Sequence, residues 1–454
     1  MNPEIFREYD IRGIVDKDLN SSTVELLGKG IGTYFRRMKK REVLVGRDCR
    51  LSSQPYSEAL TKGLISTGCE VLELGIIPTP LLYFAMYHKK KEAGVIITGS
   101  HNPPQYNGFK MMAGEETLYG AAIKNIHSII EGKDFILSEG KFTGHYDIKP
   151  EYTSYLMDDI KLDKKLKIVV DAGNGTAGVV AVPIFKNLGC EVIELYTEMD
   201  GTFPNHHPDP TIPDALDDLI KKVVKSNSDA GIAYDGDGDR IGIIDDKGNI
   251  IWGDQLMVIF CRDILPSNPG AAVISEVKAS KVLYEEIEKL GGRAIMWKTG
   301  HSLIKKKIKE ENALLAGEMS GHIFFADRYY GFDDAIYSSA RLIEILSHSK
   351  QNLSQMFSDL PQTYHTPEIR IYASDEVKFK IVEDVKNELA RSYPIIDIDG
   401  VRAVFPGGWG LVRASNTQEV LVLRFEGDTK ENLEAIKKEI ERVVENAIKR
   451  LDNS

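Results

Sequence analysis

At residues 93–104 the sequence reads Ala93-Gly94-Val95-Ile96-Ile97-Thr98-Gly99-Ser100-His101-Asn102-Pro103-Pro104. Its apolar first part is typical of a strand buried on both faces of a parallel sheet. Open α/β sheets bind their ligands at the carboxyl ends of such strands, where the polar second part lies. Two consecutive prolines end regular structure, so we expect a stiff, exposed loop that presents Ser100. Taken alone, the pattern also fits an ordinary polar turn after a strand.

Strand and helix patterns alternate on both sides of this loop. Apolar runs at residues 43–46 and 69–74 predict strands, and a helical pattern follows each run, with Ser53 as the predicted N-cap of the first helix. Such alternation is typical of a mostly parallel sheet covered by helices. The predicted fold class is therefore α/β.

The alternation continues through most of the chain and divides it into units. Its interruptions predict α/β units at residues 1–148, 149–252 and 253–366. From residue 367 to residue 454, hairpin-spaced strands lie between two helical patterns. That order predicts an α+β unit with an antiparallel sheet flanked by helices. For 454 residues the usual domain size predicts about three domains and is compatible with four.

The charge balance limits the kind of partner. The formal net charge of −11 disfavours nucleic acid or an anionic membrane, because both are bound through basic surfaces. An anionic substrate remains compatible with it if basic side chains converge in one cleft. No apolar run approaches the ~20 residues that a membrane-spanning helix needs.

The cysteines indicate the redox compartment. Cys49, Cys69, Cys190 and Cys261 stand far apart and form no CxxC pair. This spacing predicts free thiols in a reducing compartment. The first residues of the chain lack the apolar core of a signal peptide, so we expect the protein to be cytoplasmic.

A glycine-rich stretch follows the first strand of the second unit. Gly173, Gly175 and Gly178 form a G-x-G-x-x-G pattern after an apolar run, and Glu194 ends the next run. This is the best match in the chain to a dinucleotide-binding turn. The same glycines also fit a helix start that packs tightly on its sheet, and the pattern alone leaves both interpretations open.

An acidic stretch follows a second buried strand of that unit, at residues 230–234. It reads Asp235-Gly236-Asp237-Gly238-Asp239-Arg240, and the interleaved glycines allow the backbone to curl so that the three carboxylates converge. Converging carboxylates repel one another unless a hard divalent cation such as Mg²⁺ lies among them. The stretch is not an EF-hand, because Arg240 replaces the invariant glycine and strands flank it.

Polar residues mark the ends of the strands in the third and fourth units. Their types suit a sugar, because carboxylate and hydroxyl groups bind sugar hydroxyls while lysine and histidine supply charge and proton transfer. Near the end of the chain a guanidinium, hydroxyls and an amide suit a phosphate monoester. The residues are Lys278, His301, Glu318, Ser320 and His322 for the sugar, and Arg413, Ser415, Asn416 and Thr417 for the phosphate.

Taken together and in order, these motifs resemble those of the α-D-phosphohexomutases, in the phosphomannomutase/phosphoglucomutase group. The likeness spans essentially the whole chain. It implies four domains around a central cleft, three of them related α/β domains and the last an α+β domain. The motifs that carry it are Tyr9-Asp10-Ile11-Arg12-Gly13, Thr98-Gly99-Ser100-His101-Asn102-Pro103, Asp235-Gly236-Asp237-Gly238-Asp239-Arg240, Gly317-Glu318-Met319-Ser320-Gly321-His322 and Arg413-Ala414-Ser415-Asn416-Thr417.

The resemblance implies a phosphoryl transfer between the 1- and 6-positions of mannose or glucose phosphates, with a hexose 1,6-bisphosphate as intermediate and activator. Ser100 would carry the phosphoryl group and, with Asp235, Asp237 and Asp239, would hold Mg²⁺. Lys110 and His301 would transfer protons. The other implied contacts are Arg12, His101, Arg240 and Lys278 around the reacting phosphate, Tyr9, Glu318, Ser320 and His322 at the sugar, and Arg413, Ser415, Asn416 and Thr417 at the second phosphate.

Two other functions compete with this one. A nucleotide-linked dehydrogenase would use the glycine-rich stretch, but it leaves the acidic stretch and Ser100 unexplained. A non-catalytic sugar-phosphate-binding protein would use the same site without turnover. Either way we expect a hexose phosphate or another small molecule as the partner, not nucleic acid or a membrane, and a monomer or homodimer.

Overall fold

The computed structural model describes residues 1–415 and 418–452. The first domain is built on a mixed sheet whose strands run in the order β1-β5-β4-β2-β3-β7, with β6 beside β5. β1 and β5 are antiparallel to their neighbours in this order, and the other pairings are parallel. Its elements are β1 (Ile11–Ile14), α1 (Ser21–Arg37), β2 (Glu42–Arg47), α2 (Ser53–Ile65), β3 (Glu70–Ile76), α3 (Thr79–His88), β4 (Ala93–Ile97), β5 (Tyr106–Ala113), β6 (Glu116–Thr117), α4 (Ala121–Glu131) and β7 (Lys141–His145).

The second domain has a five-stranded sheet in the order β12-β11-β10-β8-β9. Its elements are α5 (Lys149–Asp159), β8 (Lys167–Asp171), α6 (Gly178–Asn187), β9 (Glu191–Leu195), α7 (Asp217–Ser226), β10 (Ala230–Tyr234), β11 (Ile241–Asp245) and β12 (Ile250–Ile251).

The third domain has a four-stranded sheet in the order β14-β13-β15-β16. Its elements are α8 (Gly253–Ile264), β13 (Ala272–Glu276), α9 (Lys281–Lys289), β14 (Arg293–Trp297), α10 (His301–Glu311), β15 (Leu315–Gly317), β16 (Ile323–Phe325) and α11 (Ala335–His348).

The fourth domain has an antiparallel sheet in the order β17-β22-β21-β20-β19, with β18 also paired to β22, and two helices. Its elements are β17 (Tyr364–His365), β18 (Ile369–Tyr372), α12 (Lys378–Leu389), β19 (Ile395–Ile396), β20 (Val401–Phe405), β21 (Gly408–Ala414), β22 (Val420–Gly427) and α13 (Lys430–Asp452). The predicted fold class, three α/β domains and a C-terminal α+β domain, is confirmed.

The first three domains share one strand arrangement. The orders β5-β4-β2-β3, β11-β10-β8-β9 and β16-β15-β13-β14 are equivalent, and in each the first strand is antiparallel to the second while the others are parallel. The hairpin made by the first two strands of each order therefore carries a loop at the same place. Those loops are residues 98–105, 235–240 and 318–322, so the Ser100, acidic and Glu318 motifs lie at one common position of the three domains.

The helix α3 joins the three domains. All its residues from Thr79 to Met86 are buried, as expected of a helix that protein surrounds on every side. Its Phe84 lies edge-on to Tyr152 of the second domain, with ring centroids 5.2 Å apart, and to Tyr330 of the third, at 6.1 Å. One continuous apolar core runs through these contacts, whereas the fourth domain has a core of its own.

The fourth domain is attached to the third through Arg402. Its Nη1 donates to the carbonyl oxygens of Val277 at 2.6 Å and Ala279 at 2.8 Å, and its guanidinium lies 3.6 Å from the ring centroid of Trp409. Trp409 and Leu411 pack on Val277 in a small apolar cluster. The apolar part of this attachment is thus much smaller than the core that unites the other domains, and polar contacts such as the ion pair of Lys281 with Asp428 add to it.

The structure changes the predicted start of α2 and agrees with the absence of a long apolar run. Ser53 is the first residue of α2 and not its cap, because its hydroxyl donates to the buried Asp48 at 2.5 Å. Within the described parts of the chain, no helix combines the length and the apolar character needed to cross a membrane.

The close crossing of α1 and α2 depends on glycine. A Cβ at Gly63 would lie 2.3 Å from the carbonyl oxygen of Glu25, and a Cβ at Gly28 would lie 2.5 Å from that of Leu60. These neighbours are backbone atoms, so only a shift of a helix could make room.

We predict that Gly63→Ala destabilises the first domain by about 1–3 kcal/mol, the usual effect of overpacking a tight contact. Thermal or urea unfolding followed by circular dichroism measures the loss. The control is Glu58→Ala on an exposed position of the same helix, which should change stability by less than about 0.5 kcal/mol. Equal stability of the Gly63→Ala variant and the wild type would contradict the close-packing argument.

Candidate active site

Ser100 lies at the tip of the loop that joins β4 to β5. Its hydroxyl donates to Asp235 Oδ2 at 3.0 Å and lies 3.1 Å from His101 Nδ1, and its own N–H donates to Thr98 Oγ1 at 2.8 Å. Its φ of +49° is a left-handed conformation that a non-glycine residue rarely adopts. The sequence predicted an exposed loop, and that was wrong for Ser100, which is 3% exposed because the acidic loop of the second domain covers it.

The acidic loop brings its three carboxylates together, as predicted. Oxygen atoms of Asp235, Asp237 and Asp239 lie within 4.8 Å of one another, and all three residues are fully buried. Asp235 Oδ1 accepts from the N–H groups of Asp239 at 3.0 Å and Arg240 at 3.2 Å, so the loop curls around this carboxylate. Burial and then the charges of Asp237 and Asp239 hold the pKa of Asp235 well above its usual range.

Lys110 is the positive charge of this cluster. It stands on β5 opposite Ile96 of β4, and its Nζ donates to Asp237 Oδ2 at 2.8 Å and also to Asp239 Oδ2. Burial works to lower the pKa of Lys110, but Asp237 and Asp239 outweigh it and raise that pKa well above the usual range. In the same way, Lys110 outweighs the effect of burial on Asp237 and lowers the pKa of that carboxyl.

The carboxylate cluster fits a hard divalent cation. Asp237 Oδ1 and Asp239 Oδ1 are buried and, within the described residues, receive no hydrogen bond. A buried carboxylate oxygen without a partner is costly unless a cation or a donor meets it. Because the cluster offers only oxygen ligands, it suits Mg²⁺ better than a softer metal.

Three cationic or imidazole side chains surround Ser100. Arg12, on the edge strand β1, donates from Nη1 to Asn102 Oδ1 at 2.7 Å and from Nη2 to Asp10 Oδ2 at 2.5 Å. Arg240, at the end of the acidic loop, donates from Nε to His322 Nε2 at 3.0 Å. Burial, followed by the charges of Arg240 and Arg12, holds the pKa of His101 well below its usual range.

The third domain adds two stacked imidazoles. His301 begins α10, and its ring lies parallel to that of His322 with centroids 5.4 Å apart. Tyr9 of the first domain lies edge-on to His301 at 6.2 Å and donates its hydroxyl to the carbonyl of Thr299 at 3.1 Å. Burial and then Lys305 hold the pKa of His301 well below its usual range, so its ring is neutral at physiological pH.

The predicted sugar loop follows β15. Glu318 Oε1 accepts from the N–H of Gly300 at 2.7 Å, and burial raises the pKa of Glu318. Ser320 is half-buried on the same loop. Lys278, after β13, donates to Glu368 of the fourth domain at 2.7 Å and lies 3.5 Å from Glu276.

The predicted phosphate loop follows β21 in the fourth domain. Arg413 is buried and donates from Nε to Asp399 Oδ2 at 3.1 Å, and the same oxygen accepts from the N–H of Thr299 at 3.1 Å. Asp399 thus connects this loop to the segment before His301. Ser415 is buried, and its hydroxyl accepts from the N–H of Gln418 at 3.2 Å. Asn416 and Thr417 lie outside the described residues.

Comparisons with known proteins agree with this arrangement. Four family models cover the chain in order. They are phosphoglucomutase/phosphomannomutase, alpha/beta/alpha domain I at residues 3–136, domain II at 150–248 and domain III at 252–364, followed by the C-terminal domain at 368–443. The chain belongs to the phosphoglucomutase/phosphomannomutase family.

Several relatives resemble the chain along its whole length. A phosphomannomutase/phosphoglucomutase of Pseudomonas aeruginosa is 49% identical over 99% of this chain and 96% of its own. A phosphoglucomutase of Neisseria meningitidis is 45% identical over 97% of each chain. The crystal structure of a phosphoglucomutase/phosphomannomutase family protein from Burkholderia thailandensis superimposes with a TM-score of 0.93, at 40% identity, and the match covers 98% of this chain and 97% of the other.

In this member of the phosphoglucomutase/phosphomannomutase family, the glycine-rich stretch serves packing. A Cβ at Gly175 would lie 2.6 Å from the carbonyl oxygen of Gly236 in the acidic loop, and one at Gly178 would lie 2.6 Å from that of Thr197. A Cβ at Gly173 would lie 3.0 Å from Pro208. Since protein fills the space where a dinucleotide would approach, the tight helix start is the interpretation that the structure supports.

Sequence reasoning missed Arg50, which holds the Ser100 loop in place. Its Nη2 donates to the carbonyl oxygens of Ser100 at 2.7 Å and Asn102 at 2.5 Å, and its Nη1 to those of Pro103 at 2.6 Å and Tyr106 at 3.1 Å. Its Nε donates to Asp48 Oδ2 at 3.1 Å, which also accepts the N–H of Gly99 at 3.1 Å. The only signal in the sequence was an Asp-Cys-Arg triplet at the end of β2, the strand beside β4.

We predict that Arg50→Met destabilises the first domain by about 3–5 kcal/mol, because it leaves the buried Asp48 without its ionic partner. Unfolding midpoints measure the loss. The control is Arg37→Met at an exposed position of the same domain, which should stay within about 0.5 kcal/mol of the wild type. A small effect of Arg50→Met would mean that the Ser100 loop keeps its shape without the hydrogen bonds that Arg50 donates to its carbonyl oxygens.

Proposed function

We propose that the protein interconverts the 1- and 6-phosphates of mannose and/or glucose, using Ser100 as the phosphoryl carrier and a hexose 1,6-bisphosphate as the intermediate. The observation that carries this proposal is the contact between Ser100 Oγ and Asp235, the first carboxylate of an oxygen-lined cation cluster. A cation held by that cluster would lie beside this serine. Phosphoryl transfer depends on such positioning and charge neutralisation more than on covalent chemistry by the protein.

Each turnover then consists of two transfers at Ser100. In the first, a substrate hydroxyl loses its proton and bonds to the phosphorus, the bond between Ser100 Oγ and phosphorus breaks, and Ser100 Oγ takes up a proton. The resulting bisphosphate turns over, and its other phosphoryl group returns to Ser100 with the protons moving in reverse. We propose Lys110 and His301 as the groups that transfer these protons, His301 as the neutral one and Lys110 as the charged one.

Asp235, Asp237 and Asp239, together with an oxygen on Ser100, would hold Mg²⁺. That ion supplies charge neutralisation to the transferring phosphoryl group when it is bound. Arg12 and Arg240 provide fixed positive charge on the other sides of Ser100, and His101 provides a ring nitrogen 3.1 Å from its hydroxyl oxygen.

The remaining groups fit the two ends of the substrate. We propose that Tyr9, Glu318, Ser320 and His322 contact the sugar and that Lys278 contacts the reacting phosphate. The second phosphate would be held by Arg413, Ser415, Asn416 and Thr417. A polar sugar grip combined with a fixed phosphate cradle accommodates two substrate orientations. To turn over between the two transfers, the bisphosphate needs a cleft that can open. The separate core of the fourth domain and its small apolar contact with the third are compatible with such opening.

We also propose domain limits at residues 1–148, 149–252, 253–366 and 367–454. The four cysteines are free and mostly buried, which favours a reducing compartment such as the cytoplasm. For the oligomeric state, a monomer or a homodimer stays a prediction.

We predict that Ser100→Ala has no mutase turnover with mannose 1-phosphate or glucose 1-phosphate, because no oxygen remains to carry the phosphoryl group. A coupled assay primed with hexose 1,6-bisphosphate measures the rate. Intact-mass spectrometry of the wild type should show a phosphate on Ser100 that the sugar phosphate removes. The matched control is Ser128→Ala, on the exposed face of α4, with wild-type turnover expected. Turnover by the Ser100→Ala variant would exclude a phosphoserine mechanism.

We predict that a chelator abolishes turnover and that added Mg²⁺ restores it. Asp237→Asn should respond far less to added Mg²⁺, because the substitution removes a charged oxygen ligand. The control is Asp246→Asn on the β11–β12 turn, whose carboxylate accepts from Ser354 and lies outside the cluster. Full activity of chelated wild-type enzyme would rule out the cation cluster as a cofactor site.

A further inference from the structure

Asp333 is a buried carboxylate that none of the sequence motifs includes. It stands in the loop between β16 and α11, is fully buried, and forms an antiparallel bridge with Phe324 of β16. Burying a carboxylate is costly unless charge or hydrogen bonds compensate it. The groups that surround it therefore indicate why it is there.

Three side chains converge on Asp333. Its Oδ1 accepts from Lys305 Nζ at 2.9 Å, while its Oδ2 lies 3.0 Å from His322 Nδ1 and 3.5 Å from His301 Nδ1. His301 and Lys305 are four residues apart on α10 and so share one face of that helix. In both imidazoles of the site, Nδ1 is therefore the ring nitrogen that faces Asp333.

The contact of His322 with Arg240 fixes where the imidazole proton is. A guanidinium has only donors, so His322 Nε2, which lies 3.0 Å from Arg240 Nε, must be the acceptor. The proton of a neutral His322 is then on Nδ1, the atom that faces Asp333. The N–H at Nδ1 is not aligned for a hydrogen bond with Asp333 Oδ2, but the negative charge 3.0 Å away favours the same tautomer, the one that can hold Arg240.

These residues do not suit a second metal ion, although Asp239, His322 and Asp333 have ligand atoms within 4.8 Å of one another. Lys305 already neutralises Asp333. His322 uses Nε2 to accept from Arg240 and carries its proton on Nδ1, so neither nitrogen has a free lone pair for a metal. An orienting carboxylate is the role that remains.

We propose that Asp333 is a positioning residue that keeps the proton of His322 and of His301 on Nδ1. In His322 this leaves Nε2 to hold Arg240 beside Ser100. In His301 it leaves Nε2, on the far side of the ring from Asp333, as the atom that exchanges a proton with substrate. Lys305 compensates the charge of Asp333 and lies 4.2 Å from the ring centroid of Tyr83, which ties the arrangement to α3. The proposal rests on the proposed function for its effect on turnover, but not for its effect on the tautomer.

The test is Asp333→Asn, which keeps the shape and removes the acceptor charge. In wild-type protein labelled with ¹⁵N-histidine, long-range ¹H–¹⁵N spectra should show His322 protonated at Nδ1, with His322→Gln assigning the signal. In Asp333→Asn the signal should move toward the Nε2-protonated form, because only the contact with Arg240 then favours a proton on Nδ1. We expect kcat to fall about 10- to 100-fold, the usual cost of removing a carboxylate that orients a histidine, with KM little changed.

The neighbouring Asp334 provides the matched control. It is equally buried, but it accepts from the hydroxyls of Tyr152 and Tyr329 and from the N–H of Tyr337 at the start of α11. Asp334→Asn should lower stability without changing the tautomer of His322. If Asp333→Asn does not fold, the double variant Asp333→Asn/Lys305→Met removes both members of the ion pair and receives the same two measurements.

An unchanged tautomer in the Asp333 variant overturns the proposal, whatever happens to kcat. A changed tautomer with wild-type kcat overturns it as well, because the orientation would then not serve the reaction. Failure of the proposed function would show separately, as a wild-type enzyme without mutase turnover whose His322 signal still reports on Asp333.

Discussion

The convergence of three buried carboxylates constrains how the first two domains of this molecule meet. Two unit charges 4 Å apart repel by about 4 kcal/mol at the effective dielectric of a protein, and Asp235, Asp237 and Asp239 lie within 4.8 Å of one another. The ammonium group that offsets this repulsion, Lys110, comes from the first domain. Thr79 of α3 adds a hydrogen bond to Asp237 at 2.6 Å. The first domain therefore stabilises the acidic loop of the second, and Ser100 is buried as a consequence of that contact.

A repeated hairpin explains how such different chemistry meets in one cleft. Ser100, the acidic loop and the Glu318 loop leave equivalent hairpins of three equivalent sheets, and the shared core around α3 holds those sheets together. Topology thus supplies three equivalent loop positions, and the residue types on each loop supply its role. The fourth domain has a different sheet and contacts the third in another way. Asp399 accepts from both Arg413 and the N–H of Thr299, and the side chain of Arg402 donates to the carbonyl oxygen of Val277.

The sequence predicted features that depend on neighbouring residues, and it missed contacts between residues that are far apart in the chain. The strand before the Ser100 loop, the curled acidic loop and the antiparallel last sheet all follow from periodicity and turn residues that lie side by side in the chain. The burial of Ser100 did not, because it depends on a loop 135 residues away. Arg50 was missed because its partners are carbonyl groups, which leave no trace in side-chain patterns. Asp333 was missed because its three partners are separated in sequence and meet only when α10 packs beside β16.

The cationic side chains proposed to bind phosphate already have carboxylate partners within the protein. Arg12 pairs with Asp10, Arg413 with Asp399 and Lys278 with Glu368. These carboxylates keep the cations oriented and compensate their burial. A phosphate that binds such a cation exchanges one anionic partner for another, so the cation has a partner of opposite charge both before and after binding. The pair of Lys278 and Glu368 crosses the border of the third and fourth domains. Asp399, the partner of Arg413 within the fourth domain, also accepts from the N–H of Thr299 in the third. The same exchange therefore also changes what holds those domains together.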